Sequence, residues 1–208
     1  MTYSDSTSGP ASGAEQEEVR PDLDIYSRYI YRTEYAGVRF AIPYNEWASS
    51  LPIRQGAPVD SLLLWVYFDG ATIHGRTPKD DLQNHIQISV GPNVRANTFG
   101  ADPPDRVLRQ FTSVDEWQDV STPENPTLKK FVHPPGAQPG IQIHALMNLA
   151  DRDPDGSIPV VRCVGECYST VFYSTALKYS YQFPIDYLDR WPVLHKALRE
   201  YMASIIVE

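Results

Sequence analysis

Two cysteines separated by three residues are the first candidates for chemistry. Cys163 and Cys167 flank Val164-Gly165-Glu166, and if these three residues form a hairpin loop, the two side chains face each other at its tip. The pair predicts a disulfide, which favours an oxidising compartment, while two unpaired thiols in a reducing one are the alternative. A metal site that adds His133 and His144 is a third interpretation, although C-x3-C differs from the two-residue spacing of zinc knuckles.

An aspartate-rich segment copies the first half of a calcium loop. Asp151, Asp153 and Asp155 alternate and are followed by a glycine, as in the first half of an EF-hand. The second half does not follow, because the twelfth position, where calcium takes a bidentate glutamate, is Arg162. The sequence D-P-D-G between two strands predicts a turn, with a weak calcium site at the three aspartates as the alternative.

The remaining polar residues show no catalytic pattern. His85, His144 and His195 fall within predicted strands or the edge of a helical stripe and are interpreted as structural. The sequence contains no G-x-S-x-G elbow, H-E-x-x-H helix or phosphate-binding loop. It therefore predicts a protein that is not an enzyme and has no cofactor.

The charge is acidic and unevenly distributed. The 208 residues carry a net charge of −8, and residues 1–24 hold six acidic residues against one arginine, a net −5. No stripe of Lys and Arg is present, which argues against nucleic acid as the partner, and no apolar run of roughly 18 residues could span a membrane. A basic protein surface suits an acidic protein better.

The start of the sequence has the composition of a disordered leader. Residues 1–23 are rich in Ser, Gly, Glu and Pro, and they show no basic, apolar signal peptide. We expect residues 24–208 to form one domain. The expectation for location is either the cytoplasm or an envelope protein whose export signal or anchor is missing from this sequence.

The hydrophobic pattern predicts an α+β fold, with a mostly antiparallel sheet and helices packed on it. Strands are predicted at 38–42, 59–68, 85–90, 128–133, 141–149, 158–164 and 168–183. An amphipathic C-terminal helix is predicted with Asp189 as N-cap, because its apolar residues repeat with helical spacing. Short helices are predicted at Asn45–Leu51 and after Pro103.

Three stretches together resemble a known group of proteins. They are YRTEYAGVRFAIPYNEW (31–47), VVRCVGECYSTVFY (160–173) and the ending that begins LKYSYQFPIDYLDRW (177–191). Their order resembles envelope proteins of Gram-negative bacteria encoded beside type VI secretion toxins, several of which are immunity proteins for lipase-class effectors. The shared features are the strand Gly37-x-x-Phe40-x-Ile42-Pro43, a two-cysteine hairpin and a Tyr-rich strand that runs into a helix.

The resemblance implies a non-catalytic immunity protein of the periplasm or envelope that inhibits a lipase or phospholipase toxin. Its rigid sheet would present loops to the toxin. We expect the contacts in and beside loops 69–84, 91–105 and 118–127. The candidate toxin-binding residues there are Asp80, Asp81, Phe99, Asp102, Asp105, Asp115, Glu116 and Trp117. A small envelope domain that binds a glycan or calcium is the alternative function.

Overall fold

The structure is a computed structural model that describes residues 30–43, 47–48, 62–75, 85–94, 117–133 and 143–207. The predicted leader at 1–23 and the predicted helix after Pro103 lie outside these residues, so those two predictions remain untested. Among the described residues no helix combines the length and the apolar character needed to cross a membrane.

One large antiparallel sheet organises the described part of the chain. Its strand order is β3-β4-β6-β12-β11-β10-β9-β8-β7, with β5 beside β4. The strands are β3 (Trp47–Ala48), β4 (Leu62–Phe68), β5 (Ile73–Gly75), β6 (His85–Pro92), β7 (Gln118–Asp119), β8 (Leu128–His133), β9 (Ile143–Asn148), β10 (Val160–Val164), β11 (Glu166–Phe172) and β12 (Leu177–Pro184). The order confirms the prediction of a mostly antiparallel sheet.

A smaller sheet and one long helix complete the α+β fold. β1 (Ile30–Tyr35), β2 (Val38–Pro43) and β13 (Ile206–Val207) pair in the order β1-β2-β13. A 3-10 helix, η1 (Ile185–Arg190), leads directly into helix α1 (Trp191–Ile205). β13 follows α1 at once, so the small sheet holds the C-terminal end of the helix.

The core lies between α1 and one face of the large sheet. β12 alternates buried and half-buried residues along its whole length, and Leu177, Tyr179, Tyr181 and Phe183 form its buried side. These residues join one apolar cluster with the buried stripe of α1 and with residues of β2. The predicted helical stripe is thus confirmed, and we call this the inner face of the sheet.

The long strand predicted at 168–183 is two strands joined by a tight turn. The backbone N–H groups of Tyr173 and Ser174 both donate to the carbonyl oxygen of Leu177, each at 3.0 Å. Ser174 Oγ in turn accepts from the N–H groups of Ala176 and Leu177. The serine side chain supplies the local partners that favour a turn over continued extension.

Two predictions about helix positions are wrong. The N-cap of α1 is Arg190 rather than Asp189, and it makes no side-chain cap bond. A cap is not needed because η1 precedes α1 without a break and the N–H of Trp191 already donates to Leu188. In the segment predicted as a helix at 45–51, Trp47–Ala48 is instead a strand, because the edge of β4 offers it backbone partners; the rest of that segment lies outside the described residues.

The cysteine hairpin forms as the spacing predicts. Cys163 of β10 and Cys167 of β11 are direct cross-strand partners with their Cα atoms 4.0 Å apart, and they form a disulfide. Gly165 sits at the tip with φ +76°, a left-handed conformation that a glycine adopts without strain. The disulfide is fully buried on the inner face.

We expect the double variant Cys163→Ala/Cys167→Ala to lose about 2 kcal/mol or less of unfolding free energy, because closing so short a loop removes little entropy from the unfolded chain. Intact-mass analysis of the natural protein with and without reductant should show a gain of two hydrogen atoms, as the reductant supplies two electrons and two protons follow. Two thiols that alkylate without reductant in protein from its native compartment would contradict the disulfide.

Candidate functional site

The outer face of the large sheet is an accessible surface that the central strands build. Its side chains alternate with the core residues and point away from α1, as strand geometry requires. All are half-buried or exposed. The outer face comprises His85, Gln87, Ser89, Arg162, Tyr168, Thr170, Phe172, Lys178, Ser180 and Gln182.

Two open cavities mark the outer face. The larger, of about 480 Å³, is lined by residues of β10, β11 and β12 that include Arg162, Tyr168 and Phe172. The smaller, of about 340 Å³, is lined by His85, Glu166 and neighbouring residues. Cavities of this size beside exposed aromatic and arginine side chains are suited to receive side chains of a protein partner.

Hydrogen bonds order the surface between the two cavities. Glu166 Oε2 accepts from the hydroxyl of Tyr168 at 3.2 Å and from the amide of Gln182. Desolvation, together with the bond to Glu166 and its charge, raises the pKa of Tyr168. On the neighbouring strands Thr170 and Ser180 share a 2.8 Å hydrogen bond between hydroxyls. These hydrogen bonds link the side chains of β11 and β12 on the outer face.

Behind the sheet, a chain of buried polar groups joins α1 to the loop after β9. The Trp191 indole N–H donates to Tyr181 Oη at 2.8 Å, and Tyr181 Oη lies 2.6 Å from His195 Nδ1. His195 Nε2 lies 2.9 Å from Asp153 Oδ1. Because the indole N–H can only donate, we infer that the Tyr181 hydroxyl donates its hydrogen bond to His195 Nδ1. The N–H at His195 Nε2 then donates to Asp153.

An arginine clamps the same loop from the next turn of the helix. Arg199 Nη2 donates to both carboxylate oxygens of Asp151, at 2.8 and 2.6 Å. Arg199 Nη1 lies 3.5 Å from Asp153 Oδ1 and also donates to the carbonyl of Arg152. Burial alone would lower the pKa of Arg199, but the hydrogen bond and charge of Asp151 outweigh it and raise that pKa.

The Tyr–His–Asp arrangement braces the structure. The side chains of His195 and Asp153 are 1% and 2% exposed. The indole N–H of Trp191 already donates a hydrogen bond to the Tyr181 hydroxyl. Burial raises the pKa of Tyr181 well above its ordinary value, which keeps its proton in place for the bond to His195. The arrangement therefore ties the 149–157 loop to α1, and with it the edge of the larger cavity, to which Asp153 and Ser157 contribute.

The three aspartates of the alternative calcium site all have protein partners. Asp151 binds Arg199, Asp153 binds His195, and Asp155 Oδ1 accepts from the N–H and Oγ of Ser157 at 3.0 and 2.6 Å. Among the residues that the structure describes, no group of three or more His, Cys, Asp or Glu side chains could hold a metal ion.

The described part of the chain includes one of the predicted toxin-binding residues. Trp117 is the one that the structure describes: it is half-buried, packs on the small cluster around Phe131, and meets the His133 ring edge-on at 5.2 Å between centroids. It is thus partly a packing residue. The others, which lie outside the described residues, are Asp80, Asp81, Phe99, Asp102, Asp105, Asp115 and Glu116.

We expect acid to weaken the Asp151 clamp. Burial opposes ionisation of this carboxyl, but the Arg199 bond, the Arg152 N–H and nearby positive charge outweigh it, so its folded pKa is lowered. A lowered folded pKa gives stability that is present above the ordinary aspartate pKa of about 3.9 and is lost as the pH falls through the folded pKa. Urea unfolding should therefore show that the advantage of the natural protein over Asp151→Asn shrinks from pH 5 downward. A difference that stays constant with pH would contradict this origin.

Comparison with known proteins finds a solved structure with a similar fold. No protein-family model and no curated protein sequence matches the chain. Among solved structures it is similar to Smlt3025, an immunity protein of the Stenotrophomonas maltophilia type IV secretion system, with 14% sequence identity and a TM-score of 0.54. The match covers 86% of this chain and 94% of that one. This chain therefore shares its overall fold with that protein.

A second solved structure shows a lower structural similarity. It is the Neisseria meningitidis iron-regulated outer membrane lipoprotein FrpD, with 14% identity and a TM-score of 0.38, covering 77% of this chain and 82% of that one.

Proposed function

We propose that this protein is a non-catalytic immunity protein that binds a cognate antibacterial toxin and blocks its action. The observation that carries the proposal is the fold shared with a secretion-system immunity protein over 86% of the chain. The three-part sequence resemblance to proteins encoded beside secretion toxins supports it independently. Both indicate a toxin as the binding partner.

The finer assignment of the toxin comes from the sequence resemblance. The resemblance implies that the toxin is a lipase or phospholipase effector of a type VI secretion system. The similar solved structure belongs to a type IV system. A toxin of this class attacks membrane lipids, so its inhibitor must meet it in the periplasm or at the envelope. The buried Cys163–Cys167 disulfide supports such an oxidising location.

The geometry supports inhibition by occlusion. A sheet whose inner face is fully packed and whose polar brace is buried presents a rigid outer face, and a preorganised surface loses little entropy on binding. An interface of ordinary size covers about 800 Å² on each partner. A partner held by such an area can block an active site or its approach without any chemistry by the inhibitor.

Growth protection tests the proposal. The product of the adjacent gene is expressed in the periplasm of a sensitive bacterium, with or without this protein. We expect it to stop growth alone, and co-expression to restore growth with recovery of a 1:1 complex. As the matched control, Lys196→Glu changes an exposed residue of α1 and should protect as well as the natural protein. Growth arrest that persists while both proteins are folded in the same compartment would overturn the proposal.

A further inference from the structure

Three exposed side chains with large apolar bodies surround Glu166 at the hairpin end of the outer face. Val164 lies directly across from Glu166 on β10, and the Tyr168 hydroxyl donates a hydrogen bond to it. Ile185 follows Pro184, which is the partner of Glu166 on β12. Val164, Tyr168 and Ile185 are all exposed. Accessible apolar side chains grouped in this way around a polar residue are typical of a protein contact surface.

The smaller cavity, of about 340 Å³, opens beside this group. Glu166 and Ile185 belong both to the group and to the cavity wall, which is completed by residues of β6, β12 and η1 that include Gln87, Gln182 and Asp186. A cavity within an apolar contact surface is where an anchor side chain of a partner inserts.

The charged residues of the smaller cavity are carboxylates. Among its described lining residues these are Glu166 and Asp186, with His85 as the titratable ring and no Lys or Arg. The two hydrogen bonds to Glu166 come from neutral groups, the Tyr168 hydroxyl and the Gln182 amide, and both reach Oε2. They therefore leave the negative charge of Glu166 in place, and Oε1 has no donor among the described residues.

Two basic residues lie near this cavity without matching its carboxylates. Arg190 ends η1, whereas Asp186 is in its first turn, and the Arg190 guanidinium lies at the β4–β5 turn, where a Cβ added at Gly70 would be 2.8 Å from Nη1. Arg162 of β10 lines the larger cavity. In the described part of the chain neither arginine forms an ion pair with Glu166 or Asp186, so the smaller cavity stays negative.

We propose that the smaller cavity receives an arginine or lysine side chain of the toxin. The charged head donates to Glu166 and Asp186, while the apolar stem lies against Ile185, since such side chains combine an apolar stem with a charged end. Charge complementarity with the carboxylates supports this occupant. This inference rests on the immunity function proposed above, and it adds a contact on the sheet face to the acidic loops predicted from the sequence.

Calorimetric titration with the purified product of the adjacent gene tests the assignment at pH 8, where histidine side chains are ordinarily neutral. The double variant Glu166→Gln/Asp186→Asn keeps the shape of both side chains and removes their charge. It should raise the dissociation constant roughly tenfold or more, and added NaCl should weaken binding of the natural protein more than that of the variant. Ile185→Ala should also weaken binding, mainly through faster dissociation.

The matched control is Glu34→Gln/Glu200→Gln, which removes two negative charges at exposed positions of β1 and α1. It should leave the dissociation constant within about twofold of that of the natural protein, because neither residue lines the smaller cavity.

The outcomes separate this inference from the function on which it rests. If the natural protein does not bind the toxin, the immunity function fails and the inference fails with it. If the natural protein binds and the folded double variant, checked by circular dichroism, binds as tightly as the control, only the cavity assignment is overturned. Sedimentation of the natural protein alone tests another occupant: a dimer that Glu166→Gln/Asp186→Asn dissociates would assign the cavity to a second copy of the chain and overturn the inference.

Discussion

Replacing Asp153 with alanine should lower the free energy of unfolding by about 1.5 to 3 kcal/mol, the usual contribution of a buried hydrogen bond to a charged group. The substitution leaves His195 Nε2 without its acceptor and takes a second carboxylate from Arg199. It also detaches the 149–157 loop from α1 at its most buried contact. Urea unfolding followed by circular dichroism measures the loss.

Asp155→Ala is the matched control for Asp153→Ala. Asp155 lies in the same loop and is half-buried, but its bonds are local, to the N–H and hydroxyl of Ser157. Losing such a bond costs about 1 kcal/mol. Equal losses for the two variants would contradict the view that the link between Asp153 and His195 braces the fold, because only a general weakening of the loop would then explain them.

Replacing Trp191 with alanine should cost about 3 to 5 kcal/mol, the usual range for removing a buried tryptophan. Trp191 has no exposed surface and belongs to the main apolar cluster. Its indole also donates to Tyr181 Oη, so the variant leaves that hydroxyl short of a donor. For a chain of this size the melting temperature should fall by roughly 6 to 20 °C.

Val193→Ala is the control for Trp191→Ala, because it shortens a side chain in the same turn of α1. Val193 is 49% exposed, and changes at exposed positions usually stay within about 0.5 kcal/mol. Calorimetric melting of the two variants should therefore differ widely. A small shift for Trp191→Ala would show that α1 contributes little to holding the sheet, in conflict with the buried stripe.

The local pattern predicts most of the regular structure. The alternation at residues 85–90 gives β6, and the spacing of apolar residues after Trp191 gives α1, because both signals depend only on neighbours in the chain. The α+β class follows from their order. The helix predicted around Trp47 failed because the structure there depends on backbone pairing with another part of the chain. Trp47 lies in a strand since the edge of β4 pairs with it.

The brace and the cavity cannot be predicted in the same way. Asp153 and His195 are 42 residues apart, and Asp151 and Arg199 are 48 apart, so no local spacing reports their contact. In the sequence, the aspartates therefore suggest calcium and His195 is only a structural histidine. Glu166 and Asp186 are ordinary polar positions until the fold places both beside one cavity. The acidic loop residues proposed for toxin binding stay a prediction.

Calorimetric titration of this protein with the product of the adjacent gene tests the central claim, which is inhibition by direct binding. We expect a 1:1 complex with a dissociation constant in the nanomolar range, which corresponds to a binding free energy of about −12 kcal/mol. Loss of the toxin's activity should follow the same stoichiometry. The absence of both heat and co-elution, with both proteins folded, would contradict the immunity function.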